Sequence, residues 1–327
     1  MHRKPTLDDV AGVAGVSRAS VSRVINGQTQ VAPEIRDRVR EAVERLGYRP
    51  DPAARALARG HGDVVELVVI DNQPTNFGTN TYYGRLVAGI VDAIRPTDAQ
   101  MRVHVVRKSD APRLLDRIAR TASVGAVLVN VTPEQAESFY TVCDRVVVIG
   151  RAPAPIPCVH PDDEAGAYAA VRMLQRGGRK RIAAIHGPQY NSSARDRQAG
   201  YLEAMRDGGL DPLDGGAGEF SRETGVERTR ELLATDPDVD ALFAACDLMA
   251  SGAMQVLAGA GRRVPEDVAV VGFDDSIIAT CTTPPMTSVR QPVEEMAAAA
   301  ARALLAGEVR AGWHTTFPTT LSVRDSS

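Results

Sequence analysis

The fold of the N-terminal part is decided by one stretch, Thr6-Leu7-Asp8-Asp9-Val10-Ala11-Gly12-Val13-Ala14-Gly15-Val16-Ser17-Arg18-Ala19-Ser20-Val21-Ser22-Arg23-Val24-Ile25-Asn26. Leu7, Val10, Ala11 and Ala14 recur at helical spacing, and Thr6 stands where it can cap the free N–H groups of that helix. Asp8 and Asp9 lie at the positive end of its dipole. Gly15 breaks the helix and Val16 packs back into the turn. Ser17 then caps a second helix whose apolar face is Val21, Val24 and Ile25. Asn26 and Gly27 both tolerate positive φ and end it. Pro33 opens a third helix, running from Glu34 to Leu46 with Ile35, Val39, Ala42, Val43 and Leu46 inside and Gly47 as its stop. Three short helices, the first two joined by a tight glycine turn, make a helix-turn-helix.

The second helix starts with Arg18, Ala19 and Ser20, none of them bulky and apolar. That end of such a helix reaches base edges in the major groove of DNA. Arg18 can pair bidentately with guanine and Ala19 can touch a thymine methyl. Ser17 and Arg23 suit phosphates, and Thr6, Ser20, Ser22 and Asn26 complete the expected DNA-binding set. A small helical domain with a solvated polar face is the plainer alternative. Past the Pro-pinned stretch Tyr48-Arg49-Pro50-Asp51-Pro52 comes Ala53-Ala54-Arg55-Ala56-Leu57-Ala58-Arg59-Gly60, helix-prone but too short to be stable alone. Its protruding Leu57 suits an apolar wedge in a minor groove; an ordinary linker is the alternative.

Charge supports a polyanion partner. The chain has 327 residues and a net charge of -3. Lys and Arg exceed Asp and Glu within residues 1–60, and the reverse holds afterwards, so a basic head precedes an acidic body. Hydrophobic residues make up 44% of the chain, which excludes intrinsic disorder. No apolar run is long enough to span a membrane, and the N-terminus has no apolar signal core. Cys143, Cys158, Cys246 and Cys281 form no CxxC pair and no metal spacing. A reduced cytoplasm is the expected location, with no metal, cofactor or membrane partner.

Thr6-Leu7-Asp8-Asp9-Val10-Ala11, Ala14-Gly15-Val16-Ser17, Val21-Ser22-Arg23-Val24-Ile25-Asn26 and Leu46-Gly47-Tyr48-Arg49-Pro50 resemble the N-terminal signature of the LacI/GalR transcriptional repressors, and the likeness continues through nearly the whole chain. The resemblance implies that hinge helices of two subunits pair in the minor groove, which places Ala53, Ala54 and Leu57 there. It puts the family's two specificity positions on Arg18 and Ala19. Ala32 departs from the pattern, standing where the family usually has a Ser or Thr cap.

From residue 63 the periodicity changes. Val64-Val65-Glu66-Leu67-Val68-Val69-Ile70 is a near-continuous apolar run, as expected of a strand buried on both faces. A helix is expected around Tyr83–Ile94, then strands near Arg102–Val106, Val124–Val131 and Arg145–Ile149. After about Asp162 a second set follows, with strands near Arg181–His186, Ala241–Ala245 and Val268–Phe273. Repeated β-α units imply parallel sheets in two lobes, with ligands bound beyond the carboxyl ends of the strands. The expected fold class is therefore an all-α helix-turn-helix head plus a two-lobed α/β body, similar to the periplasmic sugar-binding proteins by family resemblance. The expected organisation is 1–50 for the DNA-binding head, 51–62 for the hinge and 63–327 for effector binding and dimerisation. Within that body, about 63–161 plus 290–320 form the first lobe and about 162–289 the second.

Polar residues at strand ends are the cleft candidates. Asp274 and Asp275 follow the Val270–Phe273 run, Asp247 follows Ala241–Cys246, and Arg195 and Arg197 follow Ile185-His186-Gly187-Pro188. Carboxylates and Arg forks grip hydroxyls directionally, and the faces of Tyr82, Tyr83 and Phe220 can stack on a sugar. Asp247 and Asp275 also read as helix caps. By the resemblance, Arg197 and Asp274 match effector-contacting positions, and Phe220, Gln291, Ser193 and the 80–83 loop line the same cleft. Cys246 departs from the family's usual Asn, and Asn72–Thr81 is about six residues longer than usual.

The implied function is a ligand-responsive, sequence-specific regulator, most simply a repressor of carbohydrate genes, acting as a homodimer on a pseudo-palindromic operator in double-stranded DNA. A small sugar-like effector closes the cleft and changes operator affinity through the hinge. The alternative is a DNA-binding head fused to an enzymatic or purely structural α/β domain. The enzyme reading has little support, since no nucleophile elbow, P-loop, HExxH or GxGxxG after a strand occurs. The histidines are scattered, with His186 at a strand end read as structural.

Overall fold

The computed structural model describes residues 5–25, 31–46, 48 and 63–327. The chain divides into two compact units, residues 1–62 and 63–327. Asn26, the 51–62 segment and with it Ala53, Ala54 and Leu57 lie outside the described residues.

In the first unit, helices α1 (Leu7–Ala14), α2 (Arg18–Ile25) and α3 (Pro33–Leu46) follow the punctuation of the sequence. Thr6 and Asp9 form a reciprocal capping box: the Asp9 N–H donates to Thr6 Oγ1 at 3.3 Å and the Thr6 N–H to Asp9 Oδ2 at 2.7 Å. That satisfies two of the donors a helix start leaves orphaned. Gly15 ends α1 in the left-handed region, at φ +61°. The Ser20 N–H donates to Ser17 Oγ at 3.1 Å, so Ser17 caps α2. Val10, Ala14, Val21, Val39 and Ala42 form the buried centre, with Leu7, Val24, Ile25 and Ile35 packed around it.

The second unit holds two six-stranded sheets. The first contains β1 (Val64–Ile70), β2 (Gln100–Val106), β3 (Gly125–Val129), β4 (Val146–Ile149), β5 (Cys158–Pro161) and β11 (His314–Phe317), ordered β11-β5-β4-β3-β1-β2. The other contains β6 (Ile182–His186), β7 (Leu213–Ala217), β8 (Ala241–Ala244), β9 (Ala269–Asp274), β10 (Thr287–Arg290) and β12 (Thr320–Ser322), ordered β12-β10-β9-β8-β6-β7. Every pairing is parallel except β10 with β12. The two-lobed α/β expectation matches this architecture. β1 is buried along its whole length, as its near-continuous apolar run suggests, with Glu66 buried in its middle and paired to Arg102 and His104.

Several short strands escaped the sequence reading. β5 follows Pro153, Pro155 and Pro157, β7 is Leu-Asp-Gly-Gly-Ala, and β11 is His-Thr-Thr-Phe. None has an apolar run, and their neighbours alone make them strands. The chain passes between the sheets after β5, after β10 and after β11. The last passage takes residues 320–327 into the second lobe, beyond the crossings foreseen from the sequence. There Ser326 is buried, its Oγ donating to the Val270 carbonyl at 2.6 Å and accepting from the Thr287 N–H at 2.9 Å.

Candidate functional site

The outward face of α2 is polar. Ser17, Arg18, Ala19 and Arg23 are exposed, and Thr6, Ser20 and Ser22 are half-buried. The Ser17 hydroxyl lies 2.9 Å from that of Ser20 while it caps the helix. Arg18 Nη1 stands 3.7 Å from Asp8 Oδ2, with both side chains 68% exposed. An ion pair that open holds Arg18 only weakly and leaves its fork available to a partner.

The second unit contains a cavity of about 350 Å³, within the usual range for small-molecule sites, about 300–1,000 Å³. Strand ends and helix starts build it, as parallel sheets dictate. From the first lobe come Asp71 at the end of β1, Tyr82 and Tyr83 on the helix Thr81–Ile94, and Asn130 just past β3. From the second come Tyr190, Ser193, Arg197, Phe220, Cys246 and Asp274, while Gln291 lies on the crossing from β10 to the helix Val293–Ala306. The longer stretch foreseen at Asn72–Thr81 contributes Asn72, Gln73, Asn76 and Asn80, partly through a short helix, Asn76–Thr79.

Arg197 organises the floor. It projects from the helix Ser192–Asp207, whose start is capped by Asn191 Oδ1 accepting from the Ala194 N–H at 3.2 Å. Its side chain is buried. Nε donates to Asp163 Oδ1 at 2.7 Å, and Nη1 donates to the Ala245 carbonyl at 2.6 Å and stands 3.7 Å from Asp274 Oδ1. The guanidinium lies 3.7 Å from the Phe273 ring centre and 5.8 Å from that of Phe220. Burial alone would lower the pKa of Arg197, but the Asp163 and Asp274 carboxylates more than offset that and raise it. Burial pushes the Asp274 carboxyl upward, and Arg197 pulls it back. Gln291 Nε2 donates to Asp274 Oδ1 at 2.5 Å. Asp274 itself sits at φ +115° and Asp275 at φ +48°, conformations that cost a non-glycine residue of order 1–3 kcal/mol each and persist only when well held.

Around this floor the groups are neutral or paired. Burial raises the Cys246 thiol and the Tyr82 phenol, so both stay protonated hydrogen-bonding groups at neutral pH. The Tyr83 hydroxyl donates to Asp71 Oδ2 at 2.8 Å and accepts from Asn130 Nδ2 at 2.9 Å. Asn130 Oδ1 then accepts from Asn191 Nδ2 of the other lobe at 3.2 Å. At the outer end Lys108 Nζ pairs with Glu219 at 2.9 Å across the cleft and lies 3.9 Å from the Tyr190 ring centre. The Tyr190 hydroxyl donates to the second Glu219 oxygen at 2.8 Å.

One expected residue is not brought to the cavity. Asp247 is buried behind it, its Oδ2 accepting from the Ser276 N–H and hydroxyl at 2.7 and 2.8 Å and its Oδ1 from Ser288 Oγ at 2.6 Å. It fastens the turn after β9 rather than facing a ligand. The expected Tyr82, Tyr83, Ser193, Arg197, Phe220, Cys246, Asp274 and Gln291 all line the space. Asp71 and Asn130 were missed, although each ends an apolar run as Asp274 does, and the same rule would have found them. Tyr190 and Glu219 carry no such signal. His186 packs edge-on against Tyr201 with ring centres 5.8 Å apart and is not part of the lining. Among the described residues no group of three or more His, Cys, Asp or Glu could hold a metal, and no helix is long and apolar enough to cross a membrane.

Comparison with known proteins agrees with both halves of this description. Residues 6–51 match the model for bacterial regulatory proteins of the lacI family, and residues 171–327 match a periplasmic binding protein-like domain. The chain is 39% identical to the HTH-type transcriptional regulator CelR of Thermobifida fusca, over 99% of both chains. It is 32% identical to the catabolite control protein A of Priestia megaterium, over 91% of each. A solved transcriptional regulator CelR–cellobiose complex superposes with a TM-score of 0.76 at 37% identity, covering 99% of this chain and 100% of that one. The lac repressor dimer bound to operator and the anti-inducer ONPF superposes with a TM-score of 0.79 at 25% identity, covering 99% of each. With a helix-turn-helix at one end, a two-lobed binding cavity in the other and relatives matched over 91–99% of their length, this chain belongs to the lacI family of bacterial regulatory proteins.

Proposed function

We propose that the chain represses carbohydrate genes by binding a pseudo-palindromic operator as a homodimer, and that a disaccharide in the cavity of residues 63–327 changes its operator affinity. The observation that carries the effector reading is the set of buried Arg197 and Gln291 with half-buried Asp274. It offers a charged donor, a charged acceptor and an amide beside the Phe220 and Tyr82 rings. Hydroxyls take directional hydrogen bonds from such groups while a ring face stacks on the aromatics. Polar and aromatic groups recur at the outer end, at Asp71, Asn76, Tyr190 and Glu219, which supports an effector longer than one sugar ring. The likeness to a regulator solved with cellobiose makes that disaccharide the first to try.

On the DNA side, Arg18 and Ala19 read bases, and Thr6, Ser17, Ser20, Ser22, Arg23 and Asn26 hold or support the contacts to DNA. Ala53, Ala54 and Leu57 enter the minor groove within a hinge at 51–62 that joins a DNA-binding head at 1–50 to the body. Two heads reading half-sites about one helical turn apart supply the specificity that one recognition helix lacks. The protein binds its effector without converting it.

The test is fluorescence anisotropy on palindromic duplexes from the protein's own upstream region, at two salt concentrations, with and without cellobiose, glucose and ribose. Binding to one duplex that cellobiose shifts more than the single-ring sugars supports the reading, with cellobiose recovered intact afterwards. Equal binding to every duplex with no ligand effect would reduce the head to a nonspecific basic domain.

A further inference from the structure

The cavity-lining Asp274 is held from the opposite lobe by a residue that does not line the cavity. Arg85 lies on the helix Thr81–Ile94 of the first lobe, one turn beyond Tyr82. Its side chain is 16% exposed. Nε and Nη2 grip both oxygens of Glu294 at 2.7 and 2.8 Å, a bidentate fork that fixes the guanidinium plane. The remaining donors face the second lobe and the crossing: Nη1 donates to the Asp274 carbonyl at 2.8 Å and Nη2 to the Gln291 carbonyl at 3.0 Å.

Both sides of the 274–275 peptide are therefore pinned. Its oxygen is held by Arg85, and its N–H donates to Ser288 Oγ at 3.0 Å, which is itself tied to Asp247. The Asp275 carboxylate accepts from Arg324 at 2.6 Å and from Ser322 Oγ at 2.8 Å. Positive φ at two successive non-glycine residues needs such external support; among the described residues Arg85 is the part that the first lobe supplies, and Ser288, Ser322 and Arg324 supply the rest. The base of Arg85 has no slack. A Cβ at Gly89 would collide with the Glu294 carbonyl oxygen, so the helices Thr81–Ile94 and Val293–Ala306 touch backbone to backbone. A shift of the Asp274 and Gln291 carbonyls toward or away from a ligand thus pulls on a closely packed helix pair.

We propose that Arg85 is the positioning residue that transmits occupancy of the cavity to the first lobe, by tying the main chain of Asp274 and Gln291 to the helix pair. The proposal rests on the effector reading of Asp274 and Gln291. It requires that loss of Arg85 separate ligand binding from response. The side chains of Asp274 and Gln291 remain to hold a sugar, but their main chain is no longer tied through Arg85 to the helix Thr81–Ile94.

The experiment uses the full chain and two variants, Arg85→Met and Arg85→Lys, the second keeping the charge opposite Glu294 but not the fork. Cellobiose affinity is measured by calorimetry, operator affinity by anisotropy with and without saturating cellobiose, and folding by thermal melting. In the wild type the two operator affinities should differ within the usual range of such couplings, about 5–150-fold. In both variants the ratio should fall below about 2-fold, with cellobiose affinity and ligand-free operator affinity each kept within about 3-fold, a split that a purely structural role does not produce. Variants that respond like the wild type overturn the role of Arg85 while leaving the effector reading intact. Variants that lose cellobiose binding and response together, or fail to fold, overturn it in favour of simple support for the site. A wild type that neither binds nor answers cellobiose overturns the effector reading and the proposal with it.

Discussion

The two units of this chain put their polar chemistry on opposite sides of their cores. In the head the buried residues among those described are Val10, Ala14, Val21, Val31, Val39 and Ala42, and the polar residues of α2 stand exposed or half-buried within one short helix. In the body Asp163, Arg197, Asp247 and Gln291 are themselves buried, and the groups around the cavity come from positions between 70 and 291. An outward site needs only a capped helix to display it. An inward site needs every charge withdrawn from water to meet a partner, because an unpaired buried charge costs several kcal/mol. Function and stability are therefore separable in the head and fused in the body.

The largest expected effect breaks that fusion directly. Arg197→Ala leaves the buried Asp163 carboxylate without its cation and removes the positive charge beside half-buried Asp274, which should destabilise the body by about 3–5 kcal/mol and abolish the cellobiose response. Chemical denaturation and calorimetric titration of the purified variant measure both. A variant that melts normally and still binds the sugar would show that the buried set is dispensable. In the head the corresponding loss should be functional alone. Arg18→Ala should weaken operator binding by about 1–3 kcal/mol and relax the preference at one base pair, with melting and cellobiose affinity unchanged. Anisotropy on single-base operator variants resolves this, and a uniform loss across all of them would make Arg18 a phosphate contact.

Smaller effects sharpen the contrast. Thr6→Ala removes the capping box of α1 and should cost the head about 1 kcal/mol, whereas Ala32→Ser supplies the missing cap of α3 and should return a similar amount. The two melting temperatures should move in opposite directions. The pH response belongs to the body. Burial, and then the charge of Asp274, raise the carboxyl of Asp247 above its unfolded value near 3.9, and burial raises Asp274 likewise. A raised carboxyl binds its proton more tightly in the folded state. Its contribution is fully present below the unfolded value and is lost as pH rises through the folded one. Melting of the body should therefore shift upward as pH falls from 8 to 5, and Asp247→Asn should flatten the slope. A flat or downward shift in the wild type would mean that neither carboxyl binds its proton more tightly in the folded state.

Legibility in the sequence follows the same division. The caps at Thr6 and Ser17, the stop at Gly15 and the apolar face Val10–Ala14–Val21 could be read because each depends on neighbours within one or two turns. In the body the long apolar runs announced β1, β3 and β9, and residues ending such runs were sound candidates for the cavity. Asp247 met that rule and nonetheless turned to Ser276 and Ser288, because hydroxyls from two other segments stood within reach of its oxygens. Tyr190, Glu219 and Arg85 were invisible because their partners lie 29 to 209 positions away. Strands β7 and β11 were missed for a related reason, since each is completed by the strand beside it rather than by its own residues.

The sequence by itself determined a capped three-helix head with a polar second helix, two runs of β-α units, and the strand ends at which a ligand would meet polar groups. These are consequences of periodicity and of single-residue backbone preferences, which act over a few residues. Only the tertiary structure decided which carboxylate faces the cavity and which locks a turn, that Lys108 meets Glu219 across the cleft, and how Arg85 joins two lobes. Those outcomes depend on which charges are withdrawn from water together, and burial of that kind exists only once distant segments have packed.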